Sequence, residues 1–146
     1  MNHTPVSELD ATFVEGLLRN APPQEELSGI HIVEADPGYV HFDLDIPSSV
    51  LNYHGSIHGG FISTLCEIAA GMATYSYGVS NVALAAATNF IKAAGQGKVS
   101  VFAETIHRGR STSVIRCRVV HGSGKLLAEA TYTMFILRPL SETPNL

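Results

Sequence analysis

Residues 57–77, IHGGFISTLCEIAAGMATYSY, decide the fold. The segment shows no strand alternation, is rich in Ala, Leu and Ile, and lacks a polar stripe wide enough to face water. It therefore reads as a buried helix. On either side the period changes. Upstream, 30–34 and 39–46 flank Asp36-Pro37-Gly38, a turn in which Pro presets φ and Gly tolerates a positive φ, so the two arms form a hairpin. In the second arm Val40, Phe42, Leu44 and Ile46 alternate with His41, Asp43 and Asp45, which predicts a sheet with one wet face. Downstream, 82–91, 99–107, 113–121 and 126–137 read as four more strands, bounded by Gly95/Gly97, Gly109 and Gly122/Gly124. In the third of these, Ile115, Cys117 and Val119 face one way and Arg116 and Arg118 the other. At the start, 7–19 places Leu9, Phe13, Leu17 and Leu18 on one stripe, with Ser7 and Asp10 resembling a helix start signal, until Pro22-Pro23 breaks the pattern. The order is helix, two strands, one long apolar helix, four strands. An element apolar nearly all round needs cover on most sides, so this order predicts an α+β fold with a curved antiparallel sheet wrapped around the long helix.

The chain has 146 residues, of which 45% are hydrophobic and 15% charged. That charged share is below the usual value of about 25%, so little charge is available to cover a monomer, and an oligomer is expected. Nine Lys+Arg against thirteen Asp+Glu give a formal charge of −4, with no basic run, which argues against a nucleic-acid or anionic-membrane partner. The N-terminus MNHTPVSELD carries neither the basic flank nor the apolar core of a secretory signal. The apolar stretch 61–72 is shorter than the roughly 20 residues of a spanning helix, and Glu67 interrupts it. Cys66 and Cys117, both with apolar neighbours, suit core thiols in a reducing compartment, so a cytoplasmic protein is expected. No linker, repeat or low-complexity segment divides the chain.

The chemistry concentrates in 52–67, NYHGSIHGGFISTLCE. Gly55, Gly59 and Gly60, followed at once by a helix, let the backbone approach a ligand closely and aim unpaired N–H groups outward. Such a terminus attracts anions and developing oxyanions; the plain alternative is a turn that ends a loop. Glu67 lies within LCEIAAG, where a carboxylate is costly unless paired, hydrogen-bonded or functional. With the helix starting near Gly59, Glu67 lies about 12 Å along the axis from those N–H donors. One carbonyl and one water do not bridge that distance. If both features serve one reaction, the carboxylate facing a given terminus comes from a second, antiparallel copy. Two other chemistries have candidates here. His54, His58 and Cys66 suggest a metal site, but the glycines disfavour a regular helical His pair and no further ligand has suitable spacing. Ser56, Ser63 and Cys66 are candidate nucleophiles without a Gly-x-Ser-x-Gly elbow or an evident base.

The pattern Asn52-x-x-Gly55-x-x-His58-Gly59-Gly60, with Glu67 and the small residues Ala69, Ala70 and Gly71 behind it, resembles the PaaI-like branch of the hotdog-fold acyl-CoA thioesterases. The resemblance runs over roughly 28–138. It implies hydrolysis of an acyl-CoA thioester without a cofactor or metal, by a homodimer with a continuous sheet, doubled to a tetramer. It also implies an extension over 1–27, a hotdog domain over 28–140 and a tail over 141–146. By position, Gly59 would polarise the thioester carbonyl through its N–H, Asn52 would bind the carbonyl or the water, and His58 would orient the site or assist the departing thiolate. Glu67 of the partner subunit would activate water, or attack to form an anhydride; the family commonly has Asp here. The substrate-contacting set so implied is Gly60, Gly71, Tyr75, Asn89, Lys92, Arg108, Arg110 and Ser111. Arg108 and Arg110, whose guanidinium groups suit phosphate, and with them Lys92, would meet CoA phosphates; the plain alternative for each is a solvated turn charge. The chain departs from the family at 83–87, apolar where relatives place a polar residue that positions water; Thr88 or Asn89 is a candidate substitute. The acyl group implied is short-to-medium or aromatic. Two rivals remain on the same fold: a noncatalytic acyl-CoA binding or sensing protein, and a hydratase or dehydratase of acyl thioesters.

Overall fold

In a computed structural model, which describes residues 2–142, the alternating stretches form six strands and the apolar segment one long helix. The elements in chain order are α1 (Ala11–Leu18), β1 (His31–Asp36), β2 (Tyr39–Asp45), α2 (Gly59–Tyr75), β3 (Val79–Phe90), β4 (Lys98–Arg108), β5 (Thr112–His121) and β6 (Leu126–Pro139). The strands form one antiparallel sheet in the order β1-β2-β4-β5-β6-β3. The sheet packs against α2 through β2 to β6, which is the hotdog arrangement expected. Phe42, Leu65, Met72, Ile115 and Leu127 fill the space between sheet and helix and are fully buried. The wet faces fall as the alternation predicts, with Ile115, Cys117 and Val119 buried and Arg116 and Arg118 exposed. Residues 143–146 of the expected tail lie outside the described residues.

Several boundaries differ from the sequence reading by a few residues, three of them with a visible cause. The first helix is capped by Asp10 rather than Ser7: its carboxylate accepts from Thr12 N at 2.8 Å and Phe13 N at 3.3 Å, while Ser7 sits inside a preceding 3-10 turn. The long helix begins at Gly59, because Ile57 N is taken by Ala94 O and His58 N by Val50 O. β3 begins at Val79, where it pairs with Pro139, and two bulges, at Ser80/Asn81 and Ala83/Ala85, shift its register. The β1–β2 turn needs its glycine: Gly38 has φ +83°, and a Cβ there would collide with Tyr77 and Thr105.

The two edges of the sheet are not equivalent. Along β1 the N-terminal segment forms a strap: Ala35 N donates to Thr4 O, and His3 and Thr4 hold the Asp36 carboxylate at 2.7 Å each. Along β3 no described strand follows, and residues 82–87 are all exposed, with Val82 at 50% and Leu84 at 63%. A bare apolar edge is a ready template for strand pairing. Among the described residues no helix is long and apolar enough to cross a membrane.

Candidate active site

The amino end of α2 is built by its preceding loop. Asn52 Oδ1 accepts from His54 N at 3.0 Å and Ser56 N at 3.1 Å, so this side chain folds the loop and leaves its amide Nδ2 to donate elsewhere. His58 caps the helix, with Nδ1 accepting from Gly60 N at 3.1 Å. An accepting Nδ1 fixes the neutral tautomer, so the exposed Nε2 carries the proton. Phe61 N and Ile62 N both donate to His58 O. Of the first helical amides, only Gly59 N–H lacks an acceptor among the described residues. Next to it lies a concavity of about 330 Å³ lined by Leu51, His58, Gly60, Phe61 and Thr64.

Glu67 departs from the expected burial. Its helical neighbours Leu65, Cys66 and Ile68 are buried, but Glu67 itself is exposed. The sheet leaves one flank of α2 open between β3 and the loop after α1, and Glu67 projects there. It lines a second cavity of about 290 Å³ with Asn20, Pro22, Thr64, Gly71, Asn81 and Met134. The side chain is open to solvent in the single chain, so burial exacts no desolvation cost from it. Glu67 and Gly59 are eight residues apart on one helix, about 12 Å along the axis. The two cavities share only Thr64, whose hydroxyl donates to Gly60 O at 3.0 Å.

The cysteine among the nucleophile candidates is buried. Burial pushes the Cys66 thiol up to about 12 and the Cys117 thiol well above its ordinary range, and Cys117 Sγ donates to Cys66 O at 3.4 Å. Neither thiol offers a thiolate near neutral pH. Ser63 lends its carbonyl to the Tyr132 hydroxyl at 3.0 Å. His54 lies tilted against the exposed ring of Tyr53, and no three His, Cys, Asp or Glu side chains gather with metal-binding geometry among the described residues.

The substrate-contacting set expected from the resemblance divides in the structure. Gly60 and Gly71 line the two cavities. Tyr75 does not join them: its hydroxyl lies against Gly16, in the space a Cβ would need, so the ring locks α1 to α2. Asn89 pairs with Glu129 on the outer face of the sheet, whereas Thr88 pairs with buried Ala130 and faces the helix. Lys92 follows Phe90, whose ring lies beside Gly59 at the amino end of α2. Arg108 instead stacks over Tyr77 at 4.4 Å, just beyond the carboxyl end, and Arg110 and Ser111 are exposed on the adjoining hairpin. The 17 residues of α2, about 25 Å, separate these groups, so one chain does not gather them. Asn20, Pro22, Asn81 and Met134 did not emerge from the sequence. Thr64 was legible in principle, because three residues before Glu67 is the same helix face.

Comparison with known proteins identifies the family and the fold. The pattern that defines the Thioesterase superfamily matches residues 54–128, just over half of the chain. The chain is 30% identical over 101 residues to the acyl-coenzyme A thioesterase PaaI of Escherichia coli (strain K12), covering 68% of this chain and 72% of that one. It is 30% identical over 115 residues to the 1,4-dihydroxy-2-naphthoyl-CoA hydrolase of Listeria monocytogenes, covering 77% of this chain and 94% of that one. Among solved structures, a hypothetical thioesterase protein with coenzyme A from Streptococcus pneumoniae TIGR4 superposes with a TM-score of 0.73 at 31% identity, over 75% of this chain and 87% of that one.

Proposed function

Because the chain belongs to the thioesterase superfamily, we propose that it hydrolyses acyl-CoA thioesters at a site shared by two copies of the chain. The observation that carries the proposal is the division of the chemistry along α2, with an unpaired Gly59 N–H at its amino end and Glu67 in a cavity about two turns further on. The bare edge of β3 supplies the means of joining them. Two such edges paired about a twofold axis extend the sheet and set the two α2 helices antiparallel. Glu67 of the partner subunit then faces the amino end of this one. Pairing also covers Val82 and Leu84, and it fits the low charged share of the sequence. We extend the same reading to a dimer of dimers and to a cytoplasmic setting, the latter supported by two buried cysteines that remain free thiols.

In this site the thioester carbonyl oxygen accepts from Gly59 N–H and Asn52 Nδ2. Glu67 of the partner subunit takes a proton from water, and the resulting hydroxide adds to the carbonyl carbon. The oxyanion that forms is stabilised by the same donors, each worth about 2.7 to 4 kcal/mol in comparable acyl transfers. The C–S bond then breaks, His58 Nε2–H hydrogen-bonds the departing thiolate without giving up its proton, and the proton held by Glu67 passes to the thiolate, which leaves as the free thiol and returns Glu67 to the carboxylate. Lys92 of one chain and Arg108 and Arg110 of the other flank the CoA phosphates. A CoA-bound relative of the same fold and relatives named for aryl and acyl-CoA hydrolysis support this substrate class.

The test is Glu67→Gln assayed by thiol release across a panel of short-chain, medium-chain and aryl-CoA thioesters. Turnover should fall by roughly 10²- to 10⁴-fold, the contribution of a positioned base. Wild-type turnover in the variant removes Glu67 from the mechanism. Tight acyl-CoA binding without thiol release from any substrate would favour a noncatalytic sensor.

A further inference from the structure

We propose that Tyr132 is a positioning residue for the reacting carboxylate: its buried hydroxyl fixes the turn of α2 that carries Glu67 and so aims that side chain at the thioester. The inference rests on the reading of Glu67 as the base. Tyr132 stands on β6, between Ile115 of β5 and Ala86 of β3, and is 5% exposed. Its ring rises from the sheet to the helix, where the hydroxyl donates to Ser63 O at 3.0 Å. In an α-helix the carbonyl of residue 63 also accepts from the N–H of residue 67. A carbonyl oxygen has two lone pairs, so Ser63 O takes both bonds, one from the sheet and one from the backbone of Glu67 itself.

The sheet ties α2 at few points. The Ser113 and Thr74 hydroxyls meet at 2.8 Å, Asn81 Nδ2 donates to Gly71 O at 3.2 Å, and Cys117 Sγ donates to Cys66 O at 3.4 Å. The first two lie one turn or more beyond Glu67, and a thiol is a weak donor. Among the described residues, Tyr132 alone brings a strong donor to the turn of the carboxylate. Most of the remaining contact between helix and sheet is apolar, which has no preferred direction. Glu67 depends on such a tie, because no described side chain bonds or pairs with its carboxylate. Its aim therefore follows the roll of α2. At about 5 to 6 Å from the helix axis, a roll of about 10° displaces the carboxylate by about 1 Å. A shift of that size costs a reacting group roughly 100-fold in rate. The donor keeps its proton throughout the neutral range: burial, then the neighbouring Cys66 and Glu67, push the phenol up to about 12.

The test is Tyr132→Phe in the full chain, which removes the hydroxyl and keeps the ring. Ser63 O retains the N–H of Glu67, so no buried acceptor is orphaned and the fold should hold, as circular dichroism checks. For a good acyl-CoA, kcat should fall by roughly 10- to 100-fold with KM unchanged. Added to Glu67→Gln, the same substitution should change residual turnover by less than about twofold, because no base is left to aim. A merely structural loss would lower both proteins alike. If Tyr132→Phe does not fold, Tyr132→Leu takes its place with the same readings. Wild-type kcat in the Tyr132 variant, or an equal loss in both backgrounds, overturns the proposal and leaves the hydrolase standing. Wild-type turnover in Glu67→Gln instead removes the base and, with it, what Tyr132 would aim.

Discussion

The imidazole Nδ1 of His58 accepts the amide hydrogen of Gly60 at 3.1 Å, so one ring nitrogen caps the helix and the other is left to face a ligand. The two duties separate by substitution. His58→Ala should lower stability by about 1 kcal/mol, the usual value of a lost cap, and lower turnover as well. His58→Asn supplies a capping oxygen without Nε2–H, so the melting temperature should recover while turnover stays low. Recovery of both would reduce His58 to a cap.

A composite site makes a specific prediction about mixtures. Glu67→Gln and His58→Ala, each weak alone, put their defects in different halves of one shared site. After co-refolding at equal amounts, random pairing should restore about a quarter of wild-type activity, since half the dimers are mixed and each has one intact site. Activity no higher than the sum of the two variants would place both residues of a site in one chain.

Leu84, 63% exposed on the free edge of β3, provides the test of assembly. A charge at an edge strand opposes pairing. Leu84→Lys should elute at the mass of a single chain, retain its secondary structure by circular dichroism, and lose thiol release. A dimer of unchanged size would relocate the interface.

Acid stability should depend on two carboxylates outside the site. Hydrogen bonds from the Thr4 hydroxyl and His3 hold Asp36 below its ordinary value of 3.8. Burial raises Asp43, but hydrogen bonds from Ser100, Lys98 and His41 outweigh it and leave a net lowering. A carboxyl with a lowered folded value contributes stability above its unfolded value, and that contribution is lost as pH falls through the folded one. The window therefore lies below about pH 4. Melting temperature followed downward from neutral pH should drop there, and Asp36→Asn and Ser100→Ala should each make the drop shallower. Identical pH profiles for all three proteins would remove these bonds from acid denaturation.

The fold was legible because its signals are local. The period of two in β2 and β5 and its absence from 57–77 identify sheet and helix, and their order leaves few ways to cover an element apolar on most sides. Exposure at Glu67 was not legible: its neighbours are buried, and only the gap between β3 and the loop after α1 gives the carboxylate water. Asn20 was hidden for the same reason, being brought to Gly71 by tertiary packing across 51 positions of sequence. Tyr75 follows Glu67 by two helical turns, which suggested the pocket, but Gly16 gives its ring a place against α1. Asp10 and Ser7 both suit a cap, and which one closes the helix depends on a 3-10 turn without a pattern of its own.

The strap of His3 and Thr4 along β1 has a bearing on how growth of the sheet ends. Among the described residues each chain offers a single unsatisfied border, since the segment around Thr4 already pairs with the opposite one. Edge-to-edge joining thus has a valence of one and terminates after a single event. Were the strap removed, every unit would gain a second docking border, and the route from closed pairs to open-ended ribbons would lie clear.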